Sequence, residues 1–172
     1  MKQEKWFNRS FDFASNQHIL PSIVERLSGT PVRLEEKLKG VSEELLTHSP
    51  NKTWSIKENV GHLIDLEPLW QGRLEDIING NLELRPTDLQ NTKTHEANYN
   101  ETPLRFLLAE FRGIRQQTLQ STQLIDDETV FKSALHPRLK IPMRTIDLFL
   151  FVAEHDDHHL ASMTALLKGN TI

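Results

Sequence analysis

His155 and His159 stand four residues apart in the run Glu154-His155-Asp156-Asp157-His158-His159. On a helix that spacing sends both imidazoles from one face, about a turn apart. It is the arrangement in which one metal ion takes two nitrogen ligands from a single helix. At about 100° per residue, their direction is shared by Leu148, Phe151, Val152, Met163 and Leu166. The pair therefore points toward an apolar interior. Two imidazoles are costly to bury there without partners, and a shared ion is a partner that satisfies both. The plainer alternative is a pair of hydrogen-bonded core histidines, or histidines lining a partly wet seam. His158 points about 60° away, beside Glu154, Ser162 and Ala165, so it reads as a contact around the site or on the surface.

A metal site needs a third protein ligand. Thirteen residues follow His159, and none is His, Asp, Glu or Cys, so the ligand must come from upstream. The candidate is His62, in Gly61-His62-Leu63-Ile64-Asp65-Leu66, near the start of another helical segment. In an antiparallel pairing that position faces the latter part of the last helix, and Gly61 permits close backbone approach there. Asp65, Asp156 and Glu58 are candidate acceptors for imidazole N–H groups. His18, His48, His95 and His136 read as solvent-exposed. His155-Asp156-x-x-His159 echoes the His-Glu-x-x-His pattern of zinc proteases, but aspartate stands where the general base would be and no downstream ligand exists. A di-metal carboxylate bundle is disfavoured for want of a Glu-x-x-His pair.

Three neutral ligands would leave an open, uncompensated ion able to activate water or a thiol. Zinc, nickel, copper and iron all suit three imidazoles. The chain has no cysteine, which removes disulfides, thiolate metal sites and a cysteine nucleophile together. Any sulfur nucleophile must come from a cosubstrate. Twenty basic residues against twenty-four acidic ones, without a Lys/Arg cluster, argue against a nucleic-acid partner. No signal peptide is visible, and the longest clean apolar run, Leu148 to Ala153, is far short of a membrane span. The reading is a cytoplasmic protein with a small-molecule substrate. A non-catalytic, stress-associated homodimer with a structural ion is the competing class, and a metal-free helical interaction module is a third.

The elements that must position these residues are helices, and no segment reads as a strand. Leu20, Ile23, Val24, Leu27, Leu34, Leu38 and Val41 form one apolar stripe, continuing in phase across Pro31, which predicts a kinked first helix. Ser55-Ile56-Lys57-Glu58 is a capping box opening a second helix that runs to Asn79-Gly80, with a further kink at Pro68. A polar link over 82–100 precedes Thr102-Pro103, which starts a third helix through Leu119. After a second connection over 126–142, a fourth helix runs from near Met143 to Lys168, with Gly169 as its left-handed cap. The fold class is all-α: one domain over 1–172, a four-helix bundle with a long crossover between helices 2 and 3. Phe7, Phe11 and Phe13 suggest an N-terminal arm docked on the bundle.

The segment Trp54-Ser55-Ile56-Lys57-Glu58-x-x-Gly61-His62-Leu63-Ile64-Asp65, with Val152-Ala153-Glu154-His155-Asp156-Asp157-His158-His159, resembles the DinB-like superfamily. Phe106-Leu107-Leu108-Ala109-Glu110-Phe111-Arg112, His136-Pro137-Arg138-Leu139 and Pro142-Met143-Arg144 carry the likeness further. The resemblance implies a four-helix bundle holding one divalent metal, nickel or zinc, through His62, His155 and His159. It also implies a thiol-dependent transferase or isomerase using bacillithiol, mycothiol or glutathione, an activity assigned to some relatives. Many relatives follow the last histidine with Arg-Gly-Gln. Here Leu160-Ala161-Ser162 stands, which removes a polar side chain near the site.

Overall fold

The computed structural model describes residues 3–13, 17–50 and 53–169. In chain order its elements are α1 (Leu20–Leu38), α2 (Glu43–Thr47), α3 (Ile56–Ile78), α4 (Thr92–Glu96), α5 (Leu104–Thr122), β1 (Ser133–Leu135), β2 (Pro142–Arg144) and α6 (Thr145–Leu167). The four long helices make the bundle. α1 and α3 each pack against both α5 and α6, so α1 and α3 lie on opposite corners. Arg26 and Lys37 of α1 reach Asp157 and Thr164 of α6 in the same chain order, which makes those helices parallel. Asn59 meets His159 while Trp70 meets Phe151, which makes α3 and α6 antiparallel. Glu67 meets Arg115, and Lys57 meets Asn100 just before α5, so α3 and α5 run parallel. The order is up, down, down, up, and the link from 79 to 103 must carry the chain back along the bundle.

Local chemistry explains the starts and stops. The Ser55 hydroxyl accepts from Glu58 N–H at 3.1 Å and Glu58 accepts from Ser55 N–H at 2.7 Å, closing the capping box at α3. α1 continues through Pro31. A proline cannot donate to the carbonyl four residues back, and that carbonyl, Leu27 O, accepts instead from Arg115 Nη1 at 3.2 Å. Gly169 takes φ +65° just beyond α6, as the left-handed cap requires. Pro103 occupies the capping position of α5, one residue later than Thr102.

Two details differ from expectation. β1 and β2 form an antiparallel hairpin, with Ala134 opposite Met143, and α6 accordingly begins at Thr145. Three-residue strands bounded by Pro137 and Pro142 carry too few alternating positions to register as a pattern. They are held by tertiary contact, including Leu84 N–H to Leu135 O at 3.0 Å. The link before α5 also contains the single turn α4, which carries a residue of the site described below.

Two apolar clusters fill the bundle. One gathers Leu27, Trp70, Phe149 and Val152; the other gathers Leu34, Val60, Phe111 and Met163. Between them in sequence height lies a polar layer that includes Thr30, His62, Glu67, Arg115, His155 and Asp156. The N-terminal arm does dock, with Trp6, Phe11 and Phe13 against the first cluster, whereas Phe7 remains 57% exposed. No helix among the described residues is long and apolar enough to cross a membrane.

Gly61 has a definite steric role. A Cβ there would fall 2.1 Å from Cδ2 of Tyr99, whose ring lies across α3 so that its hydroxyl donates to Asp65 Oδ1 at 2.7 Å. Gly61→Ala is expected to cost about 1–3 kcal/mol through displacement of that ring, read as a lower denaturation midpoint in urea.

Candidate metal centre

His62 comes from the second turn of α3, and His155 and His159 from the middle of α6. The antiparallel packing of the two helices brings the three rings together. Ring centroids lie 5.3 Å apart for His62 and His155, 4.9 Å for His62 and His159, and 4.5 Å for His155 and His159. One nitrogen from each ring lies within 4.8 Å of the others, and all three residues are buried.

Hydrogen bonds decide which nitrogens face inward. Asn59 Nδ2 donates to Ser55 O at 2.7 Å, so Asn59 Oδ1 is the atom turned to His159 Nδ1 at 2.8 Å. It accepts the Nδ1 proton and leaves His159 Nε2 bare. Thr94 of α4 spends its single proton on Asp65 Oδ2 at 2.8 Å, so its oxygen accepts from His62 Nδ1 at 3.1 Å. His62 Nε2 is therefore bare as well. His155 Nε2 lies 3.2 Å from His159 Nε2, while His155 Nδ1 is buried with no hydrogen-bond partner.

This donor set fits a divalent ion. Metal–nitrogen bonds of about 2.0–2.1 Å in tetrahedral array place ligand nitrogens roughly 3.3 Å apart, close to the His155–His159 separation. Burial pulls His62 down to about 4. Burial, reinforced by the neighbouring imidazoles, holds His155 and His159 well below the ordinary histidine value. All three are neutral ligands at neutral pH. His62 and His159, though not His155, are each oriented by a second hydrogen bond, the usual device for fixing a metal-ligating tautomer. Thr94→Val removes the Asp65–Thr94–His62 relay and is expected to weaken metal affinity by about 10–100-fold, measured by competition with a chromophoric chelator.

The same shift sets a pH dependence for the metal-free protein. His62 binds a proton more weakly folded, at about 4, than in the unfolded chain, at about 6.5. Protonation therefore favours unfolding. Its contribution is fully present above about 6.5 and is lost as pH falls toward the folded value. Urea midpoints of metal-free protein should decline across that window, and more gently in His62→Gln.

Aromatic rings close the surroundings. Trp54 packs 4.5 Å from His62 and 6.0 Å from His159, and Trp6 of the arm meets His155 edge-on at 5.0 Å. They line an open cavity of about 210 Å³ with Asn59, the three imidazoles, His158 and Ser162. Gln3 Nε2 donates to His158 Nδ1 at 2.7 Å and to His158 O at 3.0 Å, which leaves the His158 proton on Nε2.

Of the candidate orienting carboxylates, Asp65 reaches the site through Thr94. Glu58 serves the helix cap. Asp156 turns away from the imidazoles, to Arg115 Nη1 at 2.5 Å and Thr30 at 2.8 Å. His18, His48 and His95 are exposed. His136 is not: it is 2% exposed, because the hairpin folds the connection back onto α3. Asn59, Thr94, Trp6 and Trp54 were not identifiable as site residues from spacing alone. Only Asn59 carries a usable signal, standing one turn before His62 on the same helix face.

A family model described as the DinB superfamily matches residues 26–163. Among solved structures, YfiT from Bacillus subtilis, described as a probable metal-dependent hydrolase with an unusual four-helix bundle topology, aligns with a TM-score of 0.79 at 17% identity, over 95% of each chain. That likeness establishes the four-helix bundle. No curated protein matches the sequence significantly.

Proposed function

The chain belongs to the DinB superfamily, and from that premise we propose that it is a divalent-metal-dependent enzyme acting on a small molecule, most simply a hydrolase. The observation that carries this reading is the convergence of three buried, neutral imidazoles on one cavity with no fourth protein ligand among the described residues. A structural zinc site closes with four protein ligands, whereas a catalytic site keeps a position free. The structural similarity to a probable metal-dependent hydrolase points the same way.

His62, His155 and His159 would hold the ion; three imidazoles suit several divalent metals, and the family resemblance favours nickel or zinc among them. When bound, it supplies Lewis acidity that brings water or a thiol to its nucleophilic form near neutral pH. Asn59 and the Thr94–Asp65 pair keep Nε2 of His159 and of His62 deprotonated and aimed. Trp6 and Trp54 exclude water from two sides. His158 holds a proton on Nε2 at the cavity wall, a neutral N–H placed to donate a hydrogen bond to a substrate oxygen. With no cysteine in the chain, thiol transfer requires a small-molecule thiol as cosubstrate.

The test is an assay of nickel- and zinc-loaded protein on ester and amide panels without thiol, then on electrophiles with bacillithiol, mycothiol or glutathione. Hydrolysis that needs metal and disappears in His155→Ala/His159→Ala supports the reading. Turnover only with a thiol reassigns the protein as an S-transferase. Stoichiometric metal with no turnover in either panel favours the structural ion.

A further inference from the structure

A second group of buried polar atoms lies further along α3, beside Trp70 and Phe151. Arg73 stands eleven residues after His62, hence on nearly the same face of α3. It is 1% exposed, and among its hydrogen bonds there is no carboxylate. Its Nε donates to Arg85 O at 3.1 Å, its Nη1 lies 3.2 Å from His136 Nε2, and its Nη2 has no partner. Asp76, the nearest acid, is engaged by the Arg85 backbone and guanidinium and by Asn81. Arg115 shows what this fold does with a buried guanidinium whose charge is met internally: it places Glu67 and Asp156 on it.

His136 sharpens the deficit. Its Nδ1 accepts from the backbone N–H of Arg138 at 3.2 Å and of Leu139 at 3.1 Å. A neutral imidazole must then carry its proton on Nε2, pointing at Arg73 Nη1, which is itself a donor. The other tautomer sets Nδ1–H against two backbone N–H groups. In either form donors face donors. Arg138 adds a buried Nη2 with no partner, and burial lowers its pKa. Burial also pulls Arg73 down to about 10, still a cation at neutral pH. What is missing is an acceptor, and buried donors without one are costly.

Arg73 and His136 line a cavity of about 50 Å³ together with His62, His155, Trp70 and Phe151. Asp88 also borders it, but its carboxylate is turned to the N–H groups of Gln90 and Thr92 at 2.8 and 2.7 Å. We propose that Arg73 and His136, assisted by Arg138, form an anion subsite that takes a carboxylate group of the small-molecule substrate. The planar, two-oxygen acceptor matches a guanidinium edge beside an imidazole N–H. At about 50 Å³ the cavity is small, which favours a flat, three-atom carboxylate over a bulkier tetrahedral phosphoryl group. The cavity reaches two of the three imidazoles, so a ligand anchored here presents its adjoining atoms to the candidate metal centre. The assignment to a substrate rests on the metal-enzyme reading above; the carboxylate subsite itself does not.

The test titrates acetate into the full chain, metal-free and metal-loaded, at constant ionic strength, following the His136 imidazole by NMR. Acetamide serves as the neutral isostere and inorganic phosphate as the competing anion. A saturable shift with acetate in both forms is expected, absent with acetamide and phosphate. It should weaken at least tenfold in Arg73→Met and several-fold in Arg138→Gln, whose half-buried position keeps the test available if Arg73→Met does not fold. Equal binding by wild type and both variants, the absence of saturation, or tighter binding of phosphate overturns the proposal. So does acetate binding that requires metal and survives Arg73→Met, because the ion would then be the acceptor's partner. Acetate binding lost in Arg73→Met, in a protein that takes up no metal, retains the subsite and rejects only the metal reading.

Discussion

Arg115→Met is expected to lower the free energy of unfolding by about 3–5 kcal/mol, the scale for removing one partner of a buried ion pair. Arg115 is fully buried and donates to Glu67 Oε1 through Nε at 2.8 Å, to Asp156 through both terminal nitrogens, and to Leu27 O. Its guanidinium also lies 4.9 Å from the centre of the Phe111 ring. Methionine keeps much of the stem's volume but leaves two carboxylates facing each other without a cation, and it orphans the Leu27 carbonyl that Pro31 had already released. Burial pushes the Glu67 carboxyl up even with Arg115 beside it. Adding Glu67→Gln to Arg115→Met should therefore recover part of the loss, because one buried charge disappears with its partner. Equilibrium urea denaturation at neutral pH measures both. A loss below 1 kcal/mol for Arg115→Met would show that the polar layer is not what ties α1, α3, α5 and α6 together.

The second large effect concerns the imidazoles. A ligand that binds only the folded state stabilises it by RT ln(1 + [L]/Kd), or about 4.1 kcal/mol at a thousand times Kd. Wild-type protein should gain stability of that order on addition of zinc or nickel at such excess, and lose it again on chelation. His155→Ala/His159→Ala leaves His62 alone, and one imidazole cannot hold an ion in competition with water. No metal-dependent shift is expected in that variant. It should also be no less stable than metal-free wild type by more than a modest margin. The alanines remove two buried imidazoles whose charged forms the fold disfavours, and they leave the Arg115 layer intact. His158→Ala, which alters the cavity wall and not the trio, should retain the metal-linked gain.

The bundle was legible because its long helices announce themselves locally. The heptad-spaced leucines of α1, the Ser55–Glu58 box and the Gly169 stop are each short-range signals. The trio was legible for a related reason: His155 and His159 share a face by helical period, and His62 follows from antiparallel pairing. What escaped depends on tertiary contact. The hairpin exists because Leu135 pairs with the 82–84 segment and β2 returns on it, and neither contact leaves a periodic trace. A polar connection before a proline predicts an exposed His136. The hairpin carries it inside, against Arg73. Thr94 orients His62 from a single-turn helix in the long crossover, 32 residues away in sequence. Asp156 is the converse case. Sequence adjacency to His155 suggested a supporting carboxylate, but neighbouring residues on a helix point about 100° apart, and Asp156 serves Arg115 instead.

The most direct test is the metal content of the purified chain. After loading with zinc or nickel and exhaustive removal of free ion, elemental analysis should find one equivalent per chain in wild type. It should find none in His155→Ala/His159→Ala. Equal metal in the two proteins, or none in either, would contradict the three-histidine centre.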